Sequence, residues 1–497
     1  MANYIGIDLG TTFSAVACID DSGRPKIIEN DQGDNITPSV VAKNKKGEIV
    51  VGEFARKQWG TDDSMAVARF KRDMGSSTIY QIAGDSVSPT ELSSAVLKEM
   101  KKIAETQSGE IIEAVVTIPA NFSNEARDAT MEAARMAGLN VKYIVNEPTA
   151  AALYYAYESD GELSGTYVVF DLGGGTFDVS VIRVNGHDVD VIASNGLHKL
   201  GGDDFDRALW GVVAEKYTKE TGEVLTYEDY SINDAEDEKK SLTGRKKAGA
   251  EIGRELIDVT RIEFEEAISS LMAQIEMMCE TTLDEADVVP GDVTSVLLAG
   301  GSTRIPVVMD VVKKVFGQDP VASVNVDEVV ALGAALYAAY KSDGSGLSEI
   351  QKKSVSKLKV SEKTNSYLGT LSIGYSESKG ESLANSILIN KGESIPCEIK
   401  KSFYTLHAGQ TAITCTITES KSPETNPRFV KIISESALEL PPNRPENQEI
   451  EVTYSYDANQ IIRASFKDVA TGKVSEIEVS IKNENDVSTG IDKFLVD

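Results

Sequence analysis

Residues that build disulfide, zinc and histidine chemistry are scarce, with four cysteines and three histidines in 497 positions. Cys18, Cys279, Cys397 and Cys415 are scattered without metal-ligand spacing, so they read as buried thiols of a protein kept in a reducing cytoplasm. No run approaches the ~18 consecutive apolar residues that a membrane span requires. The start, Met1-Ala2-Asn3-Tyr4, has no basic flank or apolar signal core, so neither a membrane nor secretion is expected. Basic residues are also few, 50 against 78 acidic ones, for a net charge of −28. That balance argues against a broad phosphate-binding surface, and no nucleic-acid partner is expected. What is present, 41% apolar and 26% charged residues, is the mixture of a folded globular protein. At ~100–200 residues per domain, the length implies two to four domains.

Up to about residue 343, strand-like and helix-like segments alternate. Ser88-Pro89-Thr90-Glu91 is a capping box with proline at the first helical position, and Leu92, Val96, Met100 and Ile103 follow at helical spacing. Ser123 opens a second helix through Ala129, Ala133 and Ala134 that Gly138 closes. Further helices are expected from Pro306 and over 327–340, with strands at 114–118, 167–170 and 296–299. Residues 1–343 are therefore α/β. Residues 344–365, with Gly344, Gly346, Lys352, Lys353, Lys357, Lys359 and Lys363, read as a hydrated linker with room for one short helix. Over 366–484 the runs become short and alternating, clearest at 449–456, 461–466 and 476–481, which predicts a small all-β sandwich. Residues 485–497 read as a tail.

An internal echo carries the chemistry. Ile5-Gly6-Ile7-Asp8-Leu9-Gly10-Thr11-Thr12 matches Val169-Phe170-Asp171-Leu172-Gly173-Gly174-Gly175-Thr176. Each is an apolar strand ending near an aspartate, then a glycine turn with hydroxyls, then another strand. The repetition suggests a duplicated domain whose halves face each other across a cleft. Glycine turns expose backbone N–H groups and let a phosphate approach closely, and an aspartate offers a hard oxygen to Mg²⁺ or its waters. Either turn alone is a plain tight hairpin; it is the recurrence with the same aspartate that points to a phosphate chain. No G-x-x-x-x-G-K-[ST] occurs, and neither turn is G-x-G-x-x-G, so a P-loop and a dinucleotide fingerprint are both excluded. A third glycine element, Leu298-Ala299-Gly300-Gly301-Ser302-Thr303-Arg304, suits a flat base and ribose laid against the backbone.

On these strings the chain resembles the DnaK-type chaperones of the 70-kDa heat-shock family, within the actin and sugar-kinase fold superfamily. IGIDLGTTFS (5–14), VVTIPANFS (115–123), NEPTAAAL (146–153), VFDLGGGTFDVSV (169–181), LGGDDFD (200–206), LAGGSTRIP (298–306) and VDEVVALGAAL (326–336) carry the likeness over residues 1–343. NEPTAAAL and LGGDDFD are peculiar to the chaperones, and the short segment after FKRDMG (70–75) resembles the HscC-like branch. The resemblance implies a two-lobed, actin-like (duplicated ribonuclease H-like) ATPase domain followed by a β-sandwich that binds peptide.

It also implies roles by position. Asp8 and Asp171 would hold Mg²⁺ through water, Glu147 would place the attacking water, and Lys71 would stabilise charge at the γ-phosphate of ATP. Gly10, Thr11, Thr12, Gly173, Gly174, Gly175 and Thr176 would contact phosphates. Gly201, Gly202, Glu236, Lys239, Thr243, Gly300, Gly301, Ser302 and Arg304 would line the nucleoside pocket. K⁺ is a possible second cation, with Asp204 and Asp327 at matching positions. Pro119 and Arg127 match a proline switch, and Phe403, Leu406, Ile413 and Cys415 align with the apolar-peptide groove, although alternating apolar residues in a sandwich are equally often core.

Four departures from the family set further expectations. The linker lacks the family's acidic, leucine-rich string, so weaker docking on the ATPase domain is expected. Residues 485–497 are too few for the family's helical lid, which is read either as lost or as cut from this sequence. Segments 72–118 and 244–263 are short, which predicts fast nucleotide exchange without a GrpE-type factor. Tyr143 stands where a basic residue that meets a J-domain co-chaperone is common, which leaves that partnership open. Two functions compete: an ATP-hydrolysing chaperone for apolar segments of unfolded chains, and a nucleotide-binding interaction module whose hydrolysis or coupling has decayed.

Overall fold

A computed structural model describes residues 4–59, 65–160, 163–186, 188–321, 325–364, 366–376, 380–457 and 461–478. They form two compact units with a boundary between Val360 and Ser361.

The first unit has two lobes. In lobe I, β1 (Tyr4–Asp8) and β2 (Phe13–Ile19) form a hairpin flanked by β3 (Pro25–Ile27). On the other side β4 (Glu113–Ile118) and β5 (Val141–Asn146) run parallel, giving the order β5-β4-β1-β2-β3. Helices α1 (Glu53–Trp59), α2 (Pro89–Ser108) and α3 (Asn124–Met136) belong to this lobe, and α4 (Glu147–Glu158) leaves it. Ser88 Oγ accepts from Glu91 N at 3.2 Å while the Glu91 carboxylate accepts from Ser88 N at 2.7 Å, the capping box read from the sequence. Ser123 caps α3 by its hydroxyl alone, which accepts from Ala126 N at 3.3 Å.

Lobe II repeats the plan. Strands β6 (Ser164–Leu172), β7 (Phe177–Asn185) and β8 (Asp188–Leu197) form a meander, with β9 (Val293–Ala299) parallel to β6. Tyr167–Leu172 of β6 and most of β7 are buried, which is why they read as near-continuous apolar runs. Around them lie α5 (Gly202–Thr221), α6 (Ile232–Gly244) and α7 (Pro306–Phe316).

Each lobe has its own apolar core, and a third core is shared. In the shared core α4 and α8 (Val329–Lys341) press Ala150, Ala151, Ala334 and Ala335 between Tyr4 and Ala17 of lobe I and Val169 and Ile182 of lobe II. Small residues permit this approach. A Cβ at Gly333 would lie 1.7 Å from Ala150 O, and one at Gly6 would lie 2.1 Å from Ala335 N. The expected 327–340 helix starts two residues later, at Val329.

The stretch expected as a hydrated linker belongs largely to this unit. Leu347, Val355 and Leu358 are buried in the shared core, and Val360 packs against it. Between them α9 (Glu349–Val355) buries Gln351, whose amide donates to Ile19 O at 2.9 Å and Asp20 O at 3.1 Å. The expected weak docking is therefore corrected up to Val360: the lysines face water and hide an apolar stripe at helical spacing.

The second unit is a β-sandwich. Strands β10 (Tyr367–Ser376), β11 (Gly380–Ile389), β12 (Cys397–Tyr404), β13 (Ala412–Ser420), β14 (Lys431–Glu439), β15 (Glu449–Tyr456), β16 (Ile462–Asp468) and β17 (Val474–Glu478) form two antiparallel sheets. Their orders are β11-β10-β13-β14 and β12-β15-β16-β17. Leu368, Ile417 and Leu438 from one sheet meet Val452, Tyr454 and Phe466 from the other. Residues 479–481 of the expected last strand and the 485–497 tail lie outside the described residues.

Candidate active site

The two glycine turns meet in the cleft between the lobes. Turn one joins β1 to β2; Gly10 N donates to Ser14 Oγ at 3.2 Å, and Ser39 N donates to Thr12 O at 2.9 Å. Turn two joins β6 to β7, closed by Gly173 N donating to Thr176 O at 3.1 Å. They interlock: a Cβ on Gly174 would fall 1.8 Å from Thr12 Oγ1, and one on Gly175 would fall 2.2 Å from Thr11 Cγ2. One cavity is lined by Gly10, Thr11, Thr12, Gly173, Gly174, Gly175 and Thr176 together with Asp8, Lys71, Glu147, Asp171, Gly300 and Gly301.

The charged groups come from four elements. Asp8 ends β1, Asp171 lies near the end of β6, Glu147 opens α4, and Lys71 sits on a single 3-10 turn, Phe70–Asp73. Lys71 Nζ lies 2.5 Å from Glu147 Oε1, with both side chains buried. Thr117 Oγ1 donates to Asp8 Oδ1 at 2.8 Å. Burial and the Glu147 charge push the Asp8 carboxyl up to about 6, against the opposing pull of Lys71 and Thr117. Burial raises Asp171 well above the usual carboxylate range, and Glu147, Asp178 and Asp8 add to it. Asp178 is raised by burial and by Glu147. One lysine thus faces a surplus of buried carboxylates, a field that a cation would relieve.

Among the described residues no group of three or more ligating side chains is close enough to chelate a metal directly. Two hard carboxylates beside a phosphate-sized cleft fit Mg²⁺, which keeps several waters and takes oxygens from substrate phosphates.

Of the remaining sequence-selected residues only Asp327 lines the cavity; most of the others brace it. Gly202 N and Ser302 Oγ both donate to Gly173 O, at 3.0 and 2.9 Å. A Cβ on Gly201 would strike Gly174 O at 2.6 Å. Lys239 donates to Gly202 O at 3.1 Å and pairs with buried Asp206 at 2.7 Å. Burial would raise Glu236, but Lys240 and Arg56 hold it at about 2; the Arg56 pair, at 2.8 Å, spans the lobes. Thr243 bonds back to Lys239 O within α6. Half-exposed Arg304 pairs with Asp327 at 2.5 Å. Arg127 donates to Phe122 O, Ala120 O and Asn146 Oδ1, which ties the Pro119 segment to the residue before Glu147.

In the sandwich, Cys415 is fully buried, Phe403 and Ile413 pack half-buried against the core, and Leu406 is exposed. Cys415 is thus core and not groove surface. Near it β10 pairs with β13 only at Tyr367, Leu368 and Gly369. Beyond that point Thr416 Oγ1 accepts from Leu371 N at 2.8 Å, and Tyr454 OH contacts Gly369 O at 2.7 Å and Thr416 O at 2.8 Å. The strands part there without leaving these backbone groups unsatisfied.

Sequence reasoning assigned nothing to Phe13, which lines the cavity beneath Arg56 and Lys240, nor to Arg69, Arg72 and Asp203. The one available signal was the basic alternation in Arg69-Phe70-Lys71-Arg72.

A family model described as Hsp70 protein matches residues 4–81 and 76–497, which takes in both the cleft and the sandwich. Its members are ATPases that bind ATP or ADP with Mg²⁺ and hold unfolded peptide segments. The mixed α/β unit with its facing glycine turns, followed by antiparallel β-sheets, is the architecture that match requires, and the chain belongs to the Hsp70 family.

Proposed function

We propose that this chain is an ATP-hydrolysing chaperone that binds short apolar segments of unfolded polypeptides. The observation that carries the reading is the interlocked pair of glycine turns in one cavity with Asp8, Lys71, Glu147 and Asp171. Backbone N–H groups and Thr11, Thr12 and Thr176 would bind the phosphate chain. Asp8 and Asp171 would hold Mg²⁺ through its waters, and the bound ion would neutralise charge on the phosphates. Lys71 supplies a fixed positive charge where charge spreads at transfer, and Glu147 orients water, which is positioning plus electrostatics. Gly300, Gly301 and the braced Gly202 shape the nucleoside end. In the sandwich, half-buried Phe403 and Ile413 and exposed Leu406 suit an extended apolar peptide. Short segments around the cleft fit an HscC-like member that exchanges nucleotide quickly and needs no GrpE-type factor.

Lys71→Ala should lower single-turnover hydrolysis by about 10²–10³, the usual loss for one charge-stabilising group. Glu147→Gln should slow hydrolysis while ATP affinity stays within about threefold, since the carboxylate serves water and not nucleotide. Turnover that survives Lys71→Ala would remove the catalytic assignment. Release of a fluorescent apolar peptide, with and without Mg·ATP, separates the two functions: acceleration means a coupled chaperone, and no change means an interaction module.

A further inference from the structure

The turn that carries Lys71 does more than present one lysine. Arg69, just before it, adopts φ 64, a left-handed conformation that few non-glycine residues hold. From that start the four side chains fan apart. Phe70 is buried in the lobe I core, and Lys71 reaches Glu147 in its own lobe. Arg69 and Arg72 cross the cleft. Arg69 Nε lies 2.6 Å from Asp203 Oδ2, with side-chain exposures of only 13% and 2%, and its guanidinium sits 4.3 Å from the centroid of the Trp59 ring. Arg72 Nη2 lies 2.7 Å from Asp204 Oδ2 and donates to Gly174 O at 3.4 Å.

Asp203 is itself tied to turn two, its N donating to Gly174 O at 2.8 Å, and Asp204 Oδ2 accepts from Gly201 N at 3.0 Å at the start of α5. Both sit in the first turn of α5, where the helix dipole favours negative charge. Lys71 is therefore held between two interlobe links: Arg72 reaches Gly174 O of the second glycine turn directly, and Arg69 reaches Asp203, whose N–H donates to the same oxygen. Parting the lobes must break the Arg69–Asp203 pair and leave a buried charge without its partner. It also removes what holds residue 69 in its unusual conformation.

We propose that Arg69 is a positioning residue: stacked on Trp59 and paired with Asp203, it clasps the lobes together, and closure of this clasp sets Lys71 in the cleft. The role of Lys71 in this statement rests on the ATPase reading above; the clasp itself does not.

The test uses the full chain with Trp210→Phe, which leaves Trp59 as the sole tryptophan. Arg69→Met, Asp203→Asn and the double variant are compared for acrylamide quenching of Trp59 without nucleotide, release of fluorescent ADP, single-turnover hydrolysis at saturating ATP, and Tm. Each single variant should quench more readily, release ADP about tenfold faster and hydrolyse ATP about tenfold more slowly. The double variant should be no worse than the worse single, because paired residues are not additive. Arg69→Lys should recover part of the slow release. Unchanged quenching, or a fall in Tm with release and hydrolysis unaltered, would overturn the clasp. So would a double variant whose effect is the product of the singles. If the parent hydrolyses no ATP, the ATPase reading and the setting of Lys71 both fail, while quenching still decides whether the clasp exists.

Discussion

The two glycine turns share a sequence signature but are held in different ways. Turn one in lobe I is held within its own lobe: Ser14 Oγ accepts from Gly10 N and contacts Ser39, whose N–H donates to Thr12 O. Turn two in lobe II is braced from outside, by the start of α5 through Gly202 N and Asp203 N and by Ser302 from the third glycine element. Arg72 reaches it from the opposite lobe. The two similar hairpins thus sit in different surroundings: one is held by neighbours in its own lobe, and the other is a junction of four segments drawn from both lobes. The shape of the proposed phosphate site should therefore depend on contacts within lobe I at turn one and on contacts from both lobes at turn two.

The largest effect should come from filling the interlock. Gly175→Val would drive a branched side chain into Thr11, and ATP affinity measured by calorimetry should fall by at least about 100-fold, on the scale of overpacking by several kcal/mol. Next comes the contrast in bracing. Ser14→Ala leaves Gly10 N without its acceptor and should cost about 1–2 kcal/mol of stability by thermal unfolding. Ser302→Ala removes one of two donors to Gly173 O and should cost about 0.5–1 kcal/mol. Equal costs would erase the difference drawn between the turns. A smaller effect concerns the lobes' outer link. Because Glu236 is held at about 2, its pairing with Arg56 and Lys240 contributes fully above the ordinary glutamate range and is lost as pH falls from there through 2. The Tm gap between the parent and Glu236→Gln should be constant above about pH 5 and narrow below it.

Much of this site was legible because backbone geometry writes directly into sequence. Only glycine fits at 174 and 175, and an aspartate at each strand end repeats with the hairpin. The pairing of Lys71 with Glu147 was not legible from spacing, since the pair is made by a 3-10 turn and a helix start far apart in the chain; resemblance alone joined them. Arg69 and Asp203 were missed because each looks like a solvated charge until the lobes are closed. Composition misled at 344–360, where exposed lysines obscured Leu347, Gln351, Val355 and Leu358, all on one buried side. In the sandwich, alternation found the strands but could not separate core from groove. Cys415 proved to be core, while the parting of β10 from β13 depends on Tyr454, which nothing in its own segment marks.

The central claim, that two facing glycine turns hold a triphosphate, is tested most directly by Mg·ATP affinity in three proteins: the parent, Gly175→Val and Gly211→Ala. Gly211 lies in α5 outside the cavity lining, and a Cβ there would meet no heavy atom within 4 Å. The account predicts tight binding in the parent, a Gly211→Ala value within about twofold of it, and loss by at least about 100-fold in Gly175→Val. Equal affinity in all three would contradict it, because ATP would then bind somewhere other than between the turns.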